Sequence, residues 1–447
     1  MSVTTQQAQV KQGHPKGLYL LFMTEMWERF SYYGMRALLM LYLVNETSNH
    51  LGGRGWTDGN AGMLYGWFTG FVYLTPIIGG WLADNYIGQR KAITIGGILM
   101  MLGQFSLFSE LNDMTFYLGL GLLIIGNGFF KANISTIVGK LYDEGDVRRD
   151  SAFTIFYMGI NTGAFIAPLV CGYLGATYGY RYGFLAAGIG MMLGQIMFNT
   201  MAQSYLGNIG KFVAKTAEQK AAPKTKLTKQ ETDRVAVILV LTLFVIFFWA
   251  GFEQAGSSLS LYTERYIDRV VFGWEIPTAW FQSVNPLFIV ALAPIISSMW
   301  ISLASKGKNP NTTVKMAMGM MLLGLGFFLM VGAVMERGGD VADASIKANI
   351  WWLVGAYFLH TLGELCLSPV GLSMVTKLAP LAYASMLMGV WMLSSFVANI
   401  MGGYIVKYVE ELGALTIFGG IGAFVIVLGF VLLAVSKKLT YMMHGRG

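Results

Sequence analysis

Charge is what this chain has least of. Only 12% of its 447 residues are Asp, Glu, Lys or Arg, against roughly 25% in an ordinary soluble protein. Hydrophobic residues make up 55% and mean hydropathy is +0.55. That balance excludes a water-soluble domain and places the chain in a bilayer. Cysteine is nearly absent too: Cys171 and Cys366 both lie in apolar stretches, which excludes a disulfide framework. No G-x-x-x-x-G-K-S/T phosphate loop occurs, so bound nucleotide is not the expected energy source. No H-E-x-x-H or G-x-S-x-G pattern supports an intramembrane hydrolase, and no enzyme is expected. The polar run up to Gly17 has no signal-peptide pattern, so insertion is expected to use the first hydrophobic helix.

Long apolar windows are plentiful. Stretches of about 20 residues able to span a bilayer recur near 18–46, 58–82, 91–109, 114–140, 151–177, 182–206, 233–256, 277–304, 312–335, 348–375, 380–408 and 413–436. The expected fold class is therefore an all-α polytopic membrane protein with twelve transmembrane helices in two six-helix bundles. The lysine-rich stretch 207–232 divides a bundle over 1–206 from one over 233–447. With both termini cytoplasmic, 21 of the 31 basic residues fall on the cytoplasmic side and 7 on the other, with Arg29, Arg36 and Lys131 inside helices. The positive-inside rule thus accounts for the net charge of +7. A nucleic-acid partner drops out.

The informative charges are the few at membrane depth. Glu25, Glu28, Arg29, Tyr32, Tyr33 and Arg36 share one face of the first helix at i, i+3, i+4, i+7, i+8 and i+11. Each ionisable group in hydrocarbon costs roughly 2.5–3.5 kcal/mol on insertion scales, so this face must meet a polar interior. Lys131 in the fourth helix, Glu253 at the end of the seventh and Glu364 in the tenth complete the inventory. Cations on one half and carboxylates on the other suit a zwitterion such as a dipeptide, a tripeptide or an amino acid. A glutamate that pairs with a cation across the halves also offers proton coupling, since protonation removes the pair. Tyr73, Asn127, Tyr157, Asn161, Asn285 and Ser368 are candidate hydrogen-bonding walls, and Trp249 and Trp391 candidate walls of side-chain space. His360, one turn before Glu364, reads more readily as a satisfied buried histidine than as a proton relay. Asp84 with Arg90 and Lys91 reads as a fixture for the ends of helices 2 and 3. Twelve spans around a polar midplane match the plan of a secondary transporter. A channel or scaffold would not need buried charge on both halves.

Several motifs carry a family resemblance. Gly80-Trp-Leu-Ala-Asp84-Asn-Tyr-Ile-Gly88-Gln-Arg90-Lys91 resembles the loop signature of the major facilitator superfamily. Glu25-Met-Trp-Glu28-Arg29-Phe30-Ser-Tyr32-Tyr33-Gly34 resembles the E-x-x-E-R-F-x-Y-Y-G signature of the proton-dependent oligopeptide transporters. Phe156-Tyr157-Met-Gly-Ile-Asn161-Thr-Gly163, Phe248-Trp249 with Glu253-Gln254, Asn285-Pro286, and Gly363-Glu364 with Ser368-Pro369 are similar to that family's segments on helices 5, 7, 8 and 10. The resemblance implies import of di- and tripeptides with protons, by alternating access, across the bacterial inner membrane, with no cofactor. It implies Arg29, Arg36 and Lys131 for the peptide carboxylate region, Glu364 for the amino terminus, and Asn161 and Asn285 for the backbone. Glu253 would be the coupling site, tuned from helix 1 by Glu25 and Glu28. Tyr32, Tyr33, Tyr73, Tyr157, Trp249, Ser368 and Trp391 would line the cavity. Two features depart from the family: 207–232 has no room for two additional helices, and helix 7 carries Phe252-Glu253 where some relatives have paired glutamates.

Overall fold

The computed structural model describes residues 13–143, 146, 148–212, 227–341, 343–380 and 383–446. Most of the stretch expected to link two bundles, 213–226, lies outside them, as does Lys11. Among the described residues twelve long helices follow in order: α1 Lys16–Val44, α2 Asp58–Leu82, α3 Gln89–Ser109, α4 Asp113–Lys140, α5 Arg148–Tyr178 and α6 Tyr180–Leu206. Then come α7 Lys229–Tyr266, α8 Val284–Ser305, α9 Thr312–Glu336, α10 Ile350–Leu378, α11 Ala384–Leu412 and α12 Ala414–Met442. Eleven helices among the described residues are long and apolar enough to cross a membrane. The helix outside that set is α1, because four ionisable residues interrupt it. This is a multi-pass membrane protein.

Local chemistry sets the helix ends. Thr57, Asn112, Thr228 and Asn311 accept a backbone N–H of the first turn of α2, α4, α7 and α9, satisfying a donor that would otherwise lack a partner. The apolar windows missed two irregularities. A π turn, Ala83–Ile87, follows α2, and α7 breaks at a 3-10 turn over Glu253–Gly256 before resuming as Ser258–Tyr266. A break at membrane depth is tolerated where its backbone is buried in protein. Beyond it, a two-residue-per-strand hairpin pairs Val270–Val271 with Trp274–Glu275.

Two apolar cores run through the molecule. One is built mainly from α1–α6 and the other from α7–α12. The first core includes Leu38, Phe68, Phe130 and Phe184, and the second Val245, Phe327, Leu367 and Phe418. Across them, α2 packs on α11 and α5 on α8. The contact of α2 with α11 is made without side chains at its centre. A Cβ on Gly66 would stand 2.8 Å from Gly403 Cα, so both positions require glycine. Gly159 and Gly163 bring α5 equally close to the backbone of α1 at Phe22 and Met26.

The cross-contacts gather at the face far from the described chain ends. There Arg265 pairs with Asp58, and Gly59 N donates to Glu410 Oε2 at 2.7 Å. Trp280 Nε1 donates to Leu169 O at 3.0 Å, and Ser283 Oγ to Phe165 O at 2.7 Å. Near the other face, the Asp84 carboxylate accepts from Gln89 Nε2 at 2.6 Å, while Arg90 Nη1 donates to Gly207 O at 2.7 Å. Asp84 thus ties the turn after α2 to the start of α3 as expected, but through Gln89, while Arg90 ties α3 to the end of α6.

Candidate functional site

A cavity of about 160 Å³ lies where α1, α2 and α5 face α7, α8 and α10. It is smaller than the roughly 300–1,000 Å³ of drug-sized ligand sites. Of the residues singled out in the sequence, Tyr33, Arg36, Tyr73, Tyr157, Asn161, Trp249, Glu253, Asn285 and Glu364 line it.

Its charges are already committed to partners. Arg36 of α1 donates from Nη2 to Glu253 Oε2 across the two cores, with both residues less than a tenth exposed. The same guanidinium donates from Nε to Tyr65 Oη at 2.7 Å. Burial makes this pair consequential in one direction: removing one partner strands a charge in a low dielectric. The 3-10 break at Glu253–Gly256 positions the carboxylate, and the hydroxyl of Tyr65 approaches the same break closely, 2.1 Å from where a Cβ on Gly256 would stand. On the opposite wall Glu364 Oε2 accepts from Asn285 Nδ2 at 2.9 Å, and Asn285 also donates to Thr361 Oγ1 at 3.0 Å. The second Glu364 oxygen has no hydrogen-bond partner among the described residues. Asn161 points Nδ2 back to Tyr157 O at 3.0 Å, which leaves its amide oxygen as an acceptor.

The other polar residues of α1 form a separate knot. Arg29 grips Glu28 with two donors and Glu25 at 3.1 Å, and Asn127 Nδ2 of α4 donates to Glu28 Oε1 at 3.0 Å. Lys131, one turn along α4 from Asn127, sits with Nζ 4.2 Å from the ring centroid of Tyr73, itself a wall of the cavity. Neither Arg29 nor Lys131 lines the cavity, and neither do Glu25 and Glu28. A stripe spanning i to i+11 is wide enough to face two neighbours: Tyr33 and Arg36 reach the cavity, while Glu25, Glu28 and Arg29 meet α4.

Three expected walls lie elsewhere. Tyr32 is 2% exposed and packs in the first core, edge-on to Tyr33 at 5.4 Å. Trp391 belongs to the second core, its indole filling the slot left by the missing side chain of Gly371. Ser368 is partly buried one turn beyond Glu364 and is not among the lining residues. The sequence reading passed over Tyr65, Phe252, Gln282 and Tyr357. Tyr357, Thr361 and Glu364 repeat at i, i+4 and i+7 on α10, so helical spacing held that signal. Gln282 sits on a 3-10 turn before α8, where no periodicity exists to mark it. His360 lines the cavity too, but its ring packs against Phe327 at 4.9 Å and fits the space that Gly326 leaves. Among the described residues no group of three His, Cys, Asp or Glu is placed to hold a metal.

The chain is similar in sequence and shape to known transporters. The family model described as the POT family matches residues 90–207 and 201–419, two segments that meet at the end of α6. The uncharacterized transporter YclF of Bacillus subtilis (strain 168) is 38% identical, over 97% of this chain and 96% of that one. The di-/tripeptide transporter of Lactococcus lactis subsp. cremoris is 32% identical, over 96% and 97%. A crystal structure of the peptide transporter POT in complex with sulfate superposes with a TM-score of 0.90 at 36% identity, covering 98% of this chain and 97% of that one. These relatives are transporters and not enzymes. With a family model matching most of its length and a solved relative superposing on nearly all of it, the chain belongs to the POT family.

Proposed function

We propose that this protein imports di- and tripeptides together with protons across the bacterial cytoplasmic membrane, by alternating access between its two halves, 1–206 and 233–447. The observation that carries the reading is the buried pair of Arg36 and Glu253, which joins the halves inside the same cavity that holds Glu364. In the paired state Arg36 is occupied and the halves are bridged. A proton on Glu253 neutralises its carboxylate, dissolves the pair and frees Arg36 for the carboxylate of a peptide. Glu364, with one oxygen held by Asn285, takes the peptide ammonium, and Asn161 and Asn285 serve its backbone amides. Lys131, behind Tyr73, adds positive field to the carboxylate end without touching it, while Arg29, behind Tyr33, is held by Glu25 and Glu28, which tune it. No cofactor enters this scheme, and the proton is the coupling ion.

With both chain ends cytoplasmic, the far face that Asp58–Arg265 and the Gly66–Gly403 contact close is the outer one. This corresponds to a carrier sealed outward. The same fold could carry a simple anion such as nitrate or a free amino acid, but a simple anion gives a buried Glu364 no partner.

Uptake of labelled dialanine into proteoliposomes under an inward proton gradient tests the proposal. Uptake that follows the gradient is expected, and none in the unmodified protein would overturn it. Glu364→Ala is expected to impair dialanine far more than N-acetyl-dialanine, because only the former carries an ammonium. A charged hydrogen bond contributes roughly 1.5–3 kcal/mol, so affinity for dialanine should fall about 10- to 100-fold. Equal losses for the two ligands would remove Glu364 from the amino terminus.

A further inference from the structure

A second cavity, of about 640 Å³, lies at the near face between the ends of α3 and α6. Arg90, Lys91 and Lys211 stand on it, with Ile95, Phe198 and Phe212 as apolar wall. Among the described residues that line it, none is Asp or Glu. Arg90 donates to Gly207 O and Gln203 Oε1, and Lys211 Nζ donates to Asn208 Oδ1 at 3.0 Å. All three acceptors are neutral, so the positive charge is fixed in place but not cancelled.

The backbone builds this site. Arg90 N donates to Gly210 O at 2.9 Å, which lays the segment after α6 against the start of α3. Gly88, at φ +80°, permits the approach: a Cβ there would meet Phe212 N at 2.5 Å. Both α3 and α6 are apolar enough to cross the membrane, so the basic cluster lies where hydrocarbon gives way to headgroups. Below it Ile95, Ile98 and Leu102 repeat at i, i+3 and i+7 on the outer surface of α3, 40%, 41% and 46% exposed. A free anion has no use for an apolar wall continuing into the hydrocarbon, whereas a lipid joins a phosphate to an acyl chain in that geometry.

We propose that this cavity binds an anionic phospholipid, its phosphate against Arg90, Lys91 and Lys211 and one acyl chain along Ile95, Ile98 and Leu102. Basic pockets between transmembrane helices at a cytoplasmic surface suit such headgroups. Assigning the lipid to the inner leaflet rests on the orientation proposed above. Lys211 and Phe212 lead from α6 toward the second half of the chain, so a bound lipid fastens the start of that connection to the membrane surface.

Native mass spectrometry of the purified full chain tests this, with phosphatidylglycerol and phosphatidylcholine offered at equal mole fraction. Phosphatidylglycerol is expected to be retained preferentially, and Lys91→Gln with Lys211→Gln to weaken that retention roughly fivefold per lysine. The double Lys→Arg variant should keep it. Ile95→Trp, which crowds the apolar wall and leaves every charge in place, should also reduce it. Lys437→Gln with Lys438→Gln removes the same charge at another exposed site at the end of α12 and should have no effect. Equal retention of the two lipids, or equal loss in the Lys437/Lys438 variant, would overturn the proposal. Displacement of the lipid by millimolar inorganic phosphate would overturn it as well, by making the site one for free anions. No peptide enters the measurement, so its failure is separable from failure of the transport reading.

Discussion

Proteoliposomes carrying Glu253→Gln are expected to exchange labelled dialanine for unlabelled dialanine at a rate near the parent's, yet to accumulate none under an inward proton gradient. Glutamine keeps the shape of a protonated glutamate, so it reproduces the state in which Arg36 is released. What it lacks is the ionised state that takes Arg36 back. The halves are then bridged by neither charge nor proton release, and the carrier equilibrates peptide without reading the gradient. The accumulation ratio should fall to about one. Loss of exchange together with accumulation would place Glu253 among the peptide-binding groups. Retained accumulation would move the coupling proton to another carboxylate.

Arg36→Ala should be the most damaging single change in the site. It leaves the Glu253 carboxylate buried without its cation and takes the donor from Tyr65 Oη. Breaking a buried pair from one side costs about 3–5 kcal/mol, so both uptake and thermal stability should drop. Adding Glu253→Gln to Arg36→Ala removes the stranded charge and should recover most of that stability while leaving uptake absent. The two substitutions touch one another, so their effects should be strongly non-additive. Additive losses in thermal unfolding would mean that the pair contributes little to holding the halves together.

Helix number and order were legible because a bilayer permits so few solutions: an apolar window of the right length has to be a helix. The window containing α1 was the informative one, since charge that hydrocarbon rejects must find partners inside. Chemistry of that kind located Arg36, Glu253 and Glu364. Helical spacing already offered Glu25 and Glu28 to Arg29, and the family resemblance set Glu253 opposite Arg36; buried charge alone could not make that second pairing, which depends on where two helices far apart in sequence meet. Arg29 lies four residues from Glu25 and beside Glu28 and is satisfied within its own helix, while Asn127 of α4 braces Glu28. Arg36 has no acidic neighbour at helical spacing and turns outward to Glu253. Packing decided the tryptophans. Trp249 and Trp391 have the same chemistry, but Gly371 offers Trp391 a slot in the core, and a glycine on a neighbouring helix is invisible to a periodicity count. The 3-10 turn that presents Glu253 was equally hidden, since Phe252-Glu253-Gln254-Ala255-Gly256 carries no proline and only one late glycine.

The seam between α2 and α11 has a mechanical consequence. Where Gly66 meets Gly403, backbone rests on backbone. Interlocked side chains would have to leave their rotamer wells whenever the two helices separate, and find them again on return. At that crossing there are no teeth to disengage, and the aromatic contact of Phe396 with Trp67 and Phe71 lies farther along the seam. Such a joint offers close contact when shut and little friction while moving, and its surface is unchanged by each opening. The strength of the closure then resides in detachable polar ties such as Asp58 with Arg265, which water can replace as the surfaces part. The glycines supply the bearing and the ion pairs supply the catch.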